Sequence, residues 1–426
     1  MTQMVLNTTR STSVGYKWLL VAILFTISAI NYGDRSAISS VFPLLQKEFH
    51  LTDVQLGLLG TAFLWSYAVV APFGGFLSDR FSRSRIITLS LAGWSGATLL
   101  TGMCHQFYQL VGCRTLLGLT ESFYVPAAAA LIADYHLPRT RGTAMALNTS
   151  GMSFGLIASA SLSGWIAETY GWRLPFLIHG AAGVLISVVA FFCVKDAEMR
   201  AAPVEVEMAE QQGLSKKLAH LFANRTFLLL LGEVMLTSSG VWMFWTWLPL
   251  YYHEAFHLNL GASGFSGTLM LQAAAMMAII VGGYFSDRVG ATLPRRRMLT
   301  LVLFYFASIP FLAVFRGQAS YVEVSSCIFL FSFVRTLGQA NEDPIVCELL
   351  SPRLRATGYG VLLTSAVGGG GCAVLMAGYI KQHYSLNLAF LCVSVMVFVA
   401  AILSLIAYLF YFDDDLARAP HRAPQA

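Results

Sequence analysis

Long apolar segments recur along the whole chain, and they limit its possible folds more than any other feature. A helix needs about 20 apolar residues to cross the roughly 30 Å hydrocarbon core of a bilayer, and twelve such runs occur in the 426 residues. Only 12% of the residues are charged, about half the share usual in soluble domains. The sequence therefore predicts an all-α membrane protein with twelve transmembrane helices. The runs begin near Trp18, Val54, Ile86, Phe107, Thr143, Leu174, Thr226, Gly261, Met298, Tyr321, Thr357 and Asn387.

Lysine and arginine are distributed unevenly between the loops that join these runs. One side of the predicted bundle holds only Lys47, Arg173, Arg316 and Lys381, and the other side holds most of the remainder. Basic loops stay on the cytoplasmic side, and an even number of spans returns the chain to the side where it began. We therefore expect a multi-pass protein of the cell membrane (the inner membrane in a bacterium) with both termini in the cytoplasm. These loops explain the net charge of +5, so we expect no nucleic-acid partner.

A polar stretch in the middle of the chain divides the spans into two sets of six. Its Ala, Glu, Lys and Gln content is typical of a linker. We predict a cytoplasmic tail over residues 1–16, six-helix halves over 17–194 and 225–411, a cytoplasmic linker over 195–224, and a second tail over 412–426. Such a linker is too short for an output domain, which argues against a membrane sensor that binds a ligand without transporting it.

Two short motifs occur once in each half. Residues 75–80, GFLSDR, correspond to residues 283–288, GYFSDR, and residues 138–142, PRTRG, correspond to residues 352–358, PRLRATG. The two offsets, 208 and 214 residues, agree within a few residues. Two matches in nearly the same register indicate homologous halves related by an axis along the membrane normal, an arrangement typical of alternating-access carriers.

The first motif and the arginines that follow it resemble the signature loop between helices 2 and 3 of the major facilitator superfamily. The resemblance covers nearly the whole chain and implies the major facilitator fold. In that family this loop is a cytoplasmic latch, a role that carries over to Asp79 and Arg80 and, in the second copy, to Asp287 and Arg288. Arg141, in the other motif, is assigned to the same latch. The alternative is that these charges only set the topology.

Ionisable residues lie inside two of the predicted spans, although each costs several kcal/mol there unless it is paired or hydrated. The first span carries Asp34 and Arg35 within the sequence NYGDR, and the fourth carries Arg114 and Glu121. Seven residues make nearly two helical turns, so Arg114 and Glu121 share a face, about 10 Å apart. These four residues are therefore candidates for a functional site.

The same residues resemble a pattern of the anion:cation symporters, which take up organic anions together with protons. The matching elements are N-Y-x-D-R in helix 1 and R-x6-E in helix 4, together with Tyr67, Pro72 and the W-L-P-x-Y sequence at residues 247–251. Spinster-like lipid transporters share the charged residues of helices 1 and 4, and Asp134 in the sequence IAD slightly favours them. A spinster-like transporter or exporter of lipids or amphiphiles is therefore the alternative.

The chemistry of these residue types supports the symporter interpretation. Burial disfavours the charged form of a carboxylate and can bring proton binding into the physiological range, so Asp34 and Glu121 are candidate proton carriers. Arginine stays charged and offers a planar fork that suits a carboxylate, so Arg35 and Arg114 are candidate substrate contacts. Protonating a carboxylate would free its arginine for the incoming anion. The alternative is a static ion pair that only orients the helices.

The later spans depart from this pattern. Arg335 lies at the depth of Glu121 when both are measured from the Pro-Arg motif. It could bind a second anionic group or pair with Glu342. For Glu233, in the seventh span, structural pairing is the favoured interpretation over proton coupling.

Three further residues are candidates for substrate contact. Trp242 belongs to a tryptophan-rich stretch of the seventh span that could form an aromatic wall, and an interfacial belt explains Trp247 equally well. Thr364 and Ser365 could donate hydroxyl hydrogen bonds from the eleventh span. The glycine run 368–371 that follows them lacks the Lys-Ser/Thr of a phosphate loop, so it favours close packing or bending of the helix.

Two enzyme-like motifs are discounted. Residues 253–257, HEAFH, match the zinc-protease pattern, but they follow Pro249 where the chain should leave the membrane, and no third ligand can be identified. Residues 151–155, GMSFG, match a nucleophile elbow, which requires a strand-turn-helix context. We predict no enzyme activity, no metal and no cofactor, and the seven cysteines lack the paired spacing of a disulfide framework.

Together these observations predict a monomeric secondary transporter that imports a small organic anion by proton symport. Sugar acids and aromatic or aliphatic carboxylates are plausible substrates. Its partners are then the anion, protons and the lipid bilayer.

Overall fold

The computed structural model describes residues 14–197, 214–290 and 294–418, without the side chains of residues 14, 75, 76, 78, 79, 138, 214, 289, 290, 352 and 353. Regular structure within these ranges is helical throughout, without strands. Twelve long segments form the bundle, and two short helices, Phe42–Phe49 and Leu214–Ala223, lie between them. The long segments are α1 (Val14–Ser40), α2 (Asp53–Arg80), α3 (Arg83–Thr101), α4 (Phe107–Tyr135), α5 (Pro138–Tyr170), α6 (Arg173–Cys193), α7 (Arg225–Phe256), α8 (Leu260–Gly290), α9 (Pro294–Arg316), α10 (Tyr321–Leu349), α11 (Pro352–His383) and α12 (Leu386–Ala417).

The predicted number of spans is confirmed, because each of the twelve predicted runs begins inside a different helix of this set. Ten of the helices are long and apolar enough to cross a bilayer by composition alone. The other two, α3 and α5, are less apolar because serine, threonine and glycine replace large aliphatic residues along them. Those small residues pack against neighbouring helices, which is how polar spans are accommodated in membranes.

Capping residues account for several of the helix starts. The Thr52 and Gln55 pair at α2 and the Ser320 and Glu323 pair at α10 each form a reciprocal capping box. Such boxes satisfy backbone N–H groups that have no partner within the helix. Helices α5 and α11 instead start with a proline, whose missing N–H costs nothing at that position.

Helices α4 and α10 are interrupted near the middle of the bundle. The first segment of α4 ends at Glu121, and the second segment of α10 begins at Glu342. A proline is the third residue of each second segment, Pro126 in α4 and Pro344 in α10. Proline lacks an N–H and its ring clashes with the carbonyl four residues earlier, which interrupts a helix. The breaks place a glutamate at a helix end in both halves.

Two helix pairs form the interface between the halves, α2 with α11 and α5 with α8. Thr61 Oγ1 donates to the Gly371 carbonyl at 2.8 Å in the first pair. Ser153 Oγ donates to Gln272 Oε1 at 3.1 Å in the second. The two pairs correspond under the repeat, because α2 matches α8 and α5 matches α11.

The bundle has an Arg-rich end, where α2 ends and α3 begins, and an opposite end, where α2 begins. At the opposite end Lys381 Nζ on α11 lies 2.8 Å from Asp53 Oδ1 on α2 and 2.9 Å from Glu254 Oε1 on α7. Glu168 on α5 accepts a 3.1 Å hydrogen bond from the Leu260 N–H at the start of α8. Both groups of contacts join the two halves, so the structure is clamped at the opposite end.

The internal repeat is present at atomic detail at the Arg-rich end. Arg141 donates to the Ala133 and His136 carbonyls at 3.0 and 3.2 Å, which end α4. Arg355 donates to the Cys347 and Leu350 carbonyls at 2.8 and 3.2 Å, which end α10. Arginine at the end of a helix satisfies carbonyls that lack intrahelical partners. The two halves therefore share this cap as well as the motif that predicted it.

Candidate functional site

The charged residues of α1 and α4 meet in the interior of the first half. Arg35 Nε lies 2.7 Å from Glu121 Oε2, and the two side chains are only 6% and 0% exposed. Arg35 Nη2 also donates to Asn31 Oδ1 at 3.0 Å. The sequence placed Glu121 on one face with Arg114, but the structure pairs it with an arginine of a different helix.

The other two members of the group are also buried. Arg114 Nη1 donates to the Asp34 backbone carbonyl at 3.3 Å. Within the described part of the chain, neither carboxylate oxygen of Asp34 has a hydrogen bond that meets standard geometry, although the Thr98 hydroxyl lies close to it. His179 Nδ1 lies 4.0 Å from Asp34 Oδ1. Asp34 therefore has Thr98, His179 and arginines nearby, but its carboxylate has no hydrogen bond of standard geometry within the described structure.

Aromatic rings surround the Arg35 guanidinium. The rings of Tyr32, Phe63 and Tyr67 lie 4.2, 5.1 and 5.1 Å from its carbon atom, measured to the ring centroid. Phe63 also lies 5.2 Å from the Arg114 guanidinium. Ring faces attract cations at these distances, so the rings help to hold a buried positive charge. The predicted Tyr67 is part of this shell, whereas sequence reasoning missed Phe63.

His179 on α6 is the other neighbour that sequence reasoning missed. Its side chain is 21% exposed, whereas that of Asp34 is 1% exposed. A single histidine inside an otherwise apolar span was the only available signal, and nothing in its spacing relates it to α1.

In the second half, Arg335 is buried but differently bonded. Its Nη2 donates to Gln339 Oε1 at 2.9 Å and to Thr336 Oγ1 at 3.3 Å. Among the described residues it forms no ion pair within 4.0 Å, so the pairing with Glu342 considered from sequence is not formed. Glu342 instead accepts a hydrogen bond from the Tyr305 hydroxyl.

Trp242 lies where the two halves meet, partly buried, with its ring 4.8 Å from that of Trp245 in an edge-on arrangement. Trp247 is fully buried and donates to the Val374 carbonyl at 3.1 Å, so it does not belong to an interfacial belt. Ser365 is partly buried, and the Thr364 hydroxyl is occluded and has no hydrogen-bond partner in the described structure. Of these residues, Trp242 has the position that best fits an aromatic wall between the halves, because it packs against a buried apolar cluster drawn from both halves.

The glycine run of α11 allows close helix packing. A Cβ atom at Gly370 would lie 2.4 Å from Trp242 Cδ1 on α7, and one at Gly371 would lie 2.6 Å from Trp65 on α2. The run therefore lets α2 and α7 approach α11 from both halves. A hinge role at this position stays a prediction.

The structure places the predicted latch residues at the Arg-rich end. Arg80 is the last residue of α2, and the side chain of Asp79 is outside the described structure. Asp287 is exposed, and the Arg288 guanidinium lies 4.4 Å from the Tyr284 ring on its own helix. Arg141 caps α4. The latch role of these residues stays a prediction.

The two enzyme-like motifs have ordinary helical surroundings. Helix α7 ends at Phe256, and His257 has a φ of 53°, so His253 and His257 are not on one continuous helix. The residues described include no group of three or more His, Cys, Asp or Glu side chains that could hold a metal ion. A Cβ atom at Gly155 would lie 2.0 Å from the Ala29 carbonyl oxygen, so this glycine allows α5 to pack closely on α1.

The arrangement in the first half combines two carboxylates and two arginines in a site from which water is largely excluded. Arg35 and Glu121 form an ion pair, whereas the Asp34 carboxylate has no hydrogen bond of standard geometry in the described structure. Adding a proton to Glu121 would remove the charge that holds Arg35 and leave a guanidinium able to bind another anion.

Comparison with known proteins agrees with this architecture. The Major Facilitator Superfamily profile matches residues 24–341. A relative from Bacillus subtilis strain 168, named as a probable galactarate/D-glucarate transporter, is 30% identical, with 65% of this chain and 66% of that protein aligned. A second, from Escherichia coli K12 and named likewise, is 24% identical over 96% of this chain and 98% of its own.

A solved structure shows the same fold. A bacterial homologue of the human lysosomal transporter Spinster, crystallised inward-facing and occupied, superposes with a TM-score of 0.80. It is 19% identical in sequence, and the superposition covers 95% of this chain and 99% of that one. From the profile match, the twelve-helix bundle and the duplicated halves, the chain belongs to the Major Facilitator Superfamily.

Proposed function

We propose that the protein imports a small organic anion, of the sugar-acid or a related carboxylate class, together with protons. The 2.7 Å ion pair between Arg35 and Glu121 is the observation that carries this proposal. An arginine whose side chain is only 6% exposed and is held by one carboxylate is suited to exchange that partner for the carboxylate of a substrate. The sugar-acid names of the two relatives support the same substrate class.

Proton movement is coupled to substrate movement because Glu121 and the substrate compete for one cation, Arg35. While Glu121 is charged, Arg35 is neutralised and binds a substrate poorly. A proton on Glu121 frees Arg35, and release of the proton on the other side of the membrane restores the pair and expels the anion. Asp34, whose carboxylate oxygens have no hydrogen bond of standard geometry in the described structure, is the second proton carrier in this scheme.

The proposal also includes the orientation of the protein in the membrane and the state that the structure represents. The Arg-rich end faces the cytoplasm, both termini lie there, and the protein acts as a monomer in the cell membrane. With the opposite end clamped by Lys381, the present state is closed on the side away from the cytoplasm. Rocking of the two halves about the α2–α11 and α5–α8 interfaces then exposes the site to each side in turn.

Uptake into liposomes containing the purified protein tests the proposal. A panel of sugar diacids and aromatic acids is offered with and without an inward proton gradient. We expect the gradient to drive accumulation in the wild type. Glu121→Gln should abolish that accumulation, while exchange of labelled for unlabelled substrate is retained, because the amide resembles a protonated carboxyl.

The exposed Glu323 provides a matched control. Gln also satisfies a capping box, so Glu323→Gln should transport like the wild type. Full gradient-driven uptake by Glu121→Gln would refute the coupling role of this residue. Selective uptake of amphiphiles with no response to carboxylates would instead support the spinster-like alternative.

A further inference from the structure

Two glutamates in the second half lie together inside the bundle, away from Arg35 and Glu121. Glu233 is on α7 and is fully buried. Glu342 is on α10, at the start of its second segment, and is partly buried. Both glutamates lie beside the Tyr305 hydroxyl of α9, which donates to Glu342, and their carboxyl groups are neighbours. We propose that Glu233 and Glu342 share one proton and form a second proton-binding site.

Hydrogen-bond donors near the pair are too few for two charged carboxylates. The hydroxyl of the fully buried Tyr305 donates to Glu342 Oε1. Thr237 Oγ1 lies 3.3 Å from Glu233 Oε1 but also donates to the Glu233 backbone carbonyl, at 3.1 Å. Glu233 Oε2 is buried and has no hydrogen-bond partner in the described structure. A carboxylate oxygen buried without a donor is costly, and a proton between the two acids supplies the missing hydrogen bond.

The charges around the pair also require a proton. The charged and titratable groups that face it are Tyr305 from α9 and Arg335 and Asp343 from α10. Helix α12 faces this part of α7 with apolar residues such as Leu403, next to Gly232. Arg335 is the one cation among the described residues that face the pair, and its hydrogen bonds go to neutral side chains. One cation near two buried carboxylates leaves one negative charge uncompensated unless the pair holds a proton, as other buried carboxylate pairs do.

The position of the pair suggests how the proton exchanges. Glu233 is sealed from solvent, whereas Glu342 is partly exposed and is next to the exposed Asp343. A proton would therefore enter and leave through Glu342. The break of α10 at this residue lets the two segments of the helix move relative to each other, which would change the distance between the acids.

The role of this pair in transport rests on the proposed function, but the shared proton does not. If the protein is a symporter, this site provides a second proton in the transport cycle, carried by the half that lacks an arginine–glutamate pair. If the protein transports something else, the pair still binds a proton at neutral pH.

Infrared difference spectroscopy of the full-length protein in lipid tests the proposal directly. The wild type minus the Glu233→Gln/Glu342→Gln double variant should show a protonated carboxyl C=O band at neutral pH that shifts in D2O. The matched control, Glu323→Gln in the same helix, should show no such band, because that glutamate is exposed. Absence of a protonated band from the first difference spectrum would overturn the proposal.

A second variant covers the case in which the double variant does not fold. Tyr305→Phe removes the hydroxyl that donates to Glu342 and should move the protonated carboxyl band to higher frequency. An unmoved band would show that the protonated acid lies elsewhere. In liposomes, the proton-to-substrate ratio should fall by one in the double variant while substrate exchange continues. If no carboxylate were taken up, the proposed function would be refuted. The infrared result alone would then decide whether this site holds a shared proton.

Discussion

In the first half, Arg35 and Glu121 form a buried ion pair at 2.7 Å, whereas in the second half Arg335 donates to neutral side chains and two glutamates face each other. Arg335 occupies the position that corresponds to Glu121 in the repeat, since the two are 214 residues apart, as are the Pro-Arg motifs. The fold is duplicated, but the sign of the charge at this position is reversed.

This difference shows how one architecture supports two kinds of charged site. Where a carboxylate meets an arginine, the charge is balanced without a proton, and a proton changes the partner of the arginine. Where carboxylates meet each other, the balance requires a proton from the start. Backbone packing is shared between the halves because small residues and caps recur, while the charged side chains diverge.

The largest expected effect separates the two arginines. Arg35→Gln leaves Glu121 buried and charged without its partner, a change that costs about 3–5 kcal/mol. Arg335→Gln removes hydrogen bonds to neutral groups and the cation near Glu233 and Glu342, but that pair can be neutralised by a second proton, so the variant should cost only about 1–3 kcal/mol. Thermal unfolding followed by tryptophan fluorescence would rank the two variants.

The exposed Arg316 serves as the control for both, and Arg316→Gln should unfold like the wild type. The loss of stability in Arg35→Gln should become smaller as the pH falls, because a proton on Glu121 then removes the unpaired charge. Equal losses of stability in Arg35→Gln and Arg335→Gln would contradict the contrast between the two halves.

An intermediate effect is expected at two corresponding glycines. A Cβ atom at Gly155 would lie 2.0 Å from the Ala29 backbone oxygen, whereas one at Gly369 would lie 2.6 Å from Cγ of the flexible Met235 side chain. Gly155→Ala should therefore cost about 1–3 kcal/mol through overpacking, and Gly369→Ala should cost less because methionine can adjust. Comparing the melting temperatures of the two variants measures the difference, and Gly112→Ala, which would meet no atom within 4 Å, is the control. A larger loss at Gly369 would show that α11 is the less adaptable helix.

The smallest effect concerns a pair at the opposite end that only the first half has. The Arg173 side chain hydrogen bonds to Glu48 and holds its pKa below the ordinary value, and Trp172 Nε1 also donates to it at 2.6 Å. The residue 214 positions after Arg173 is Asn387, which carries no charge. Because the pKa of Glu48 is lowered by folding, its contribution is present above the unfolded pKa of about 4.3 and is lost as the pH falls below it.

Glu48→Gln should therefore lower the melting temperature at pH 7 by a small amount, since such exposed pairs contribute at most about 1 kcal/mol. The difference from the wild type should vanish at acid pH. Lys47→Gln, in the same short helix, should show no such pH dependence. A difference between Glu48→Gln and the wild type that persisted in acid would assign the effect to packing.

Much of the architecture could be predicted from local patterns. Apolar runs of about 20 residues mark spans independently of the rest of the chain, and the repeated motifs at residues 75 and 283 mark the two halves. The burial of Asp34, Arg35, Arg114 and Glu121 also followed from their positions inside apolar runs. The breaks in α4 and α10 were missed, although Pro126 and Pro344 were a readable signal for them.

The partners of the buried charges could not be predicted in the same way. A spacing of seven residues relates Arg114 to Glu121 on one helix, but it contains no information about which residue of another helix faces them. His179, Phe63 and Tyr305 come from α6, α2 and α9, and only the packing angles of those helices bring them to the charged groups.

The sequence by itself determined the helical class, the number of spans, the duplication and the set of charges buried in the bundle, because burial in lipid acts on each segment separately. The tertiary structure alone decided that Glu121 holds Arg35, that Arg335 has neutral partners and that Glu233 faces Glu342. Those choices depend on how helices rotate and approach one another, and such long-range packing is not encoded in any single segment.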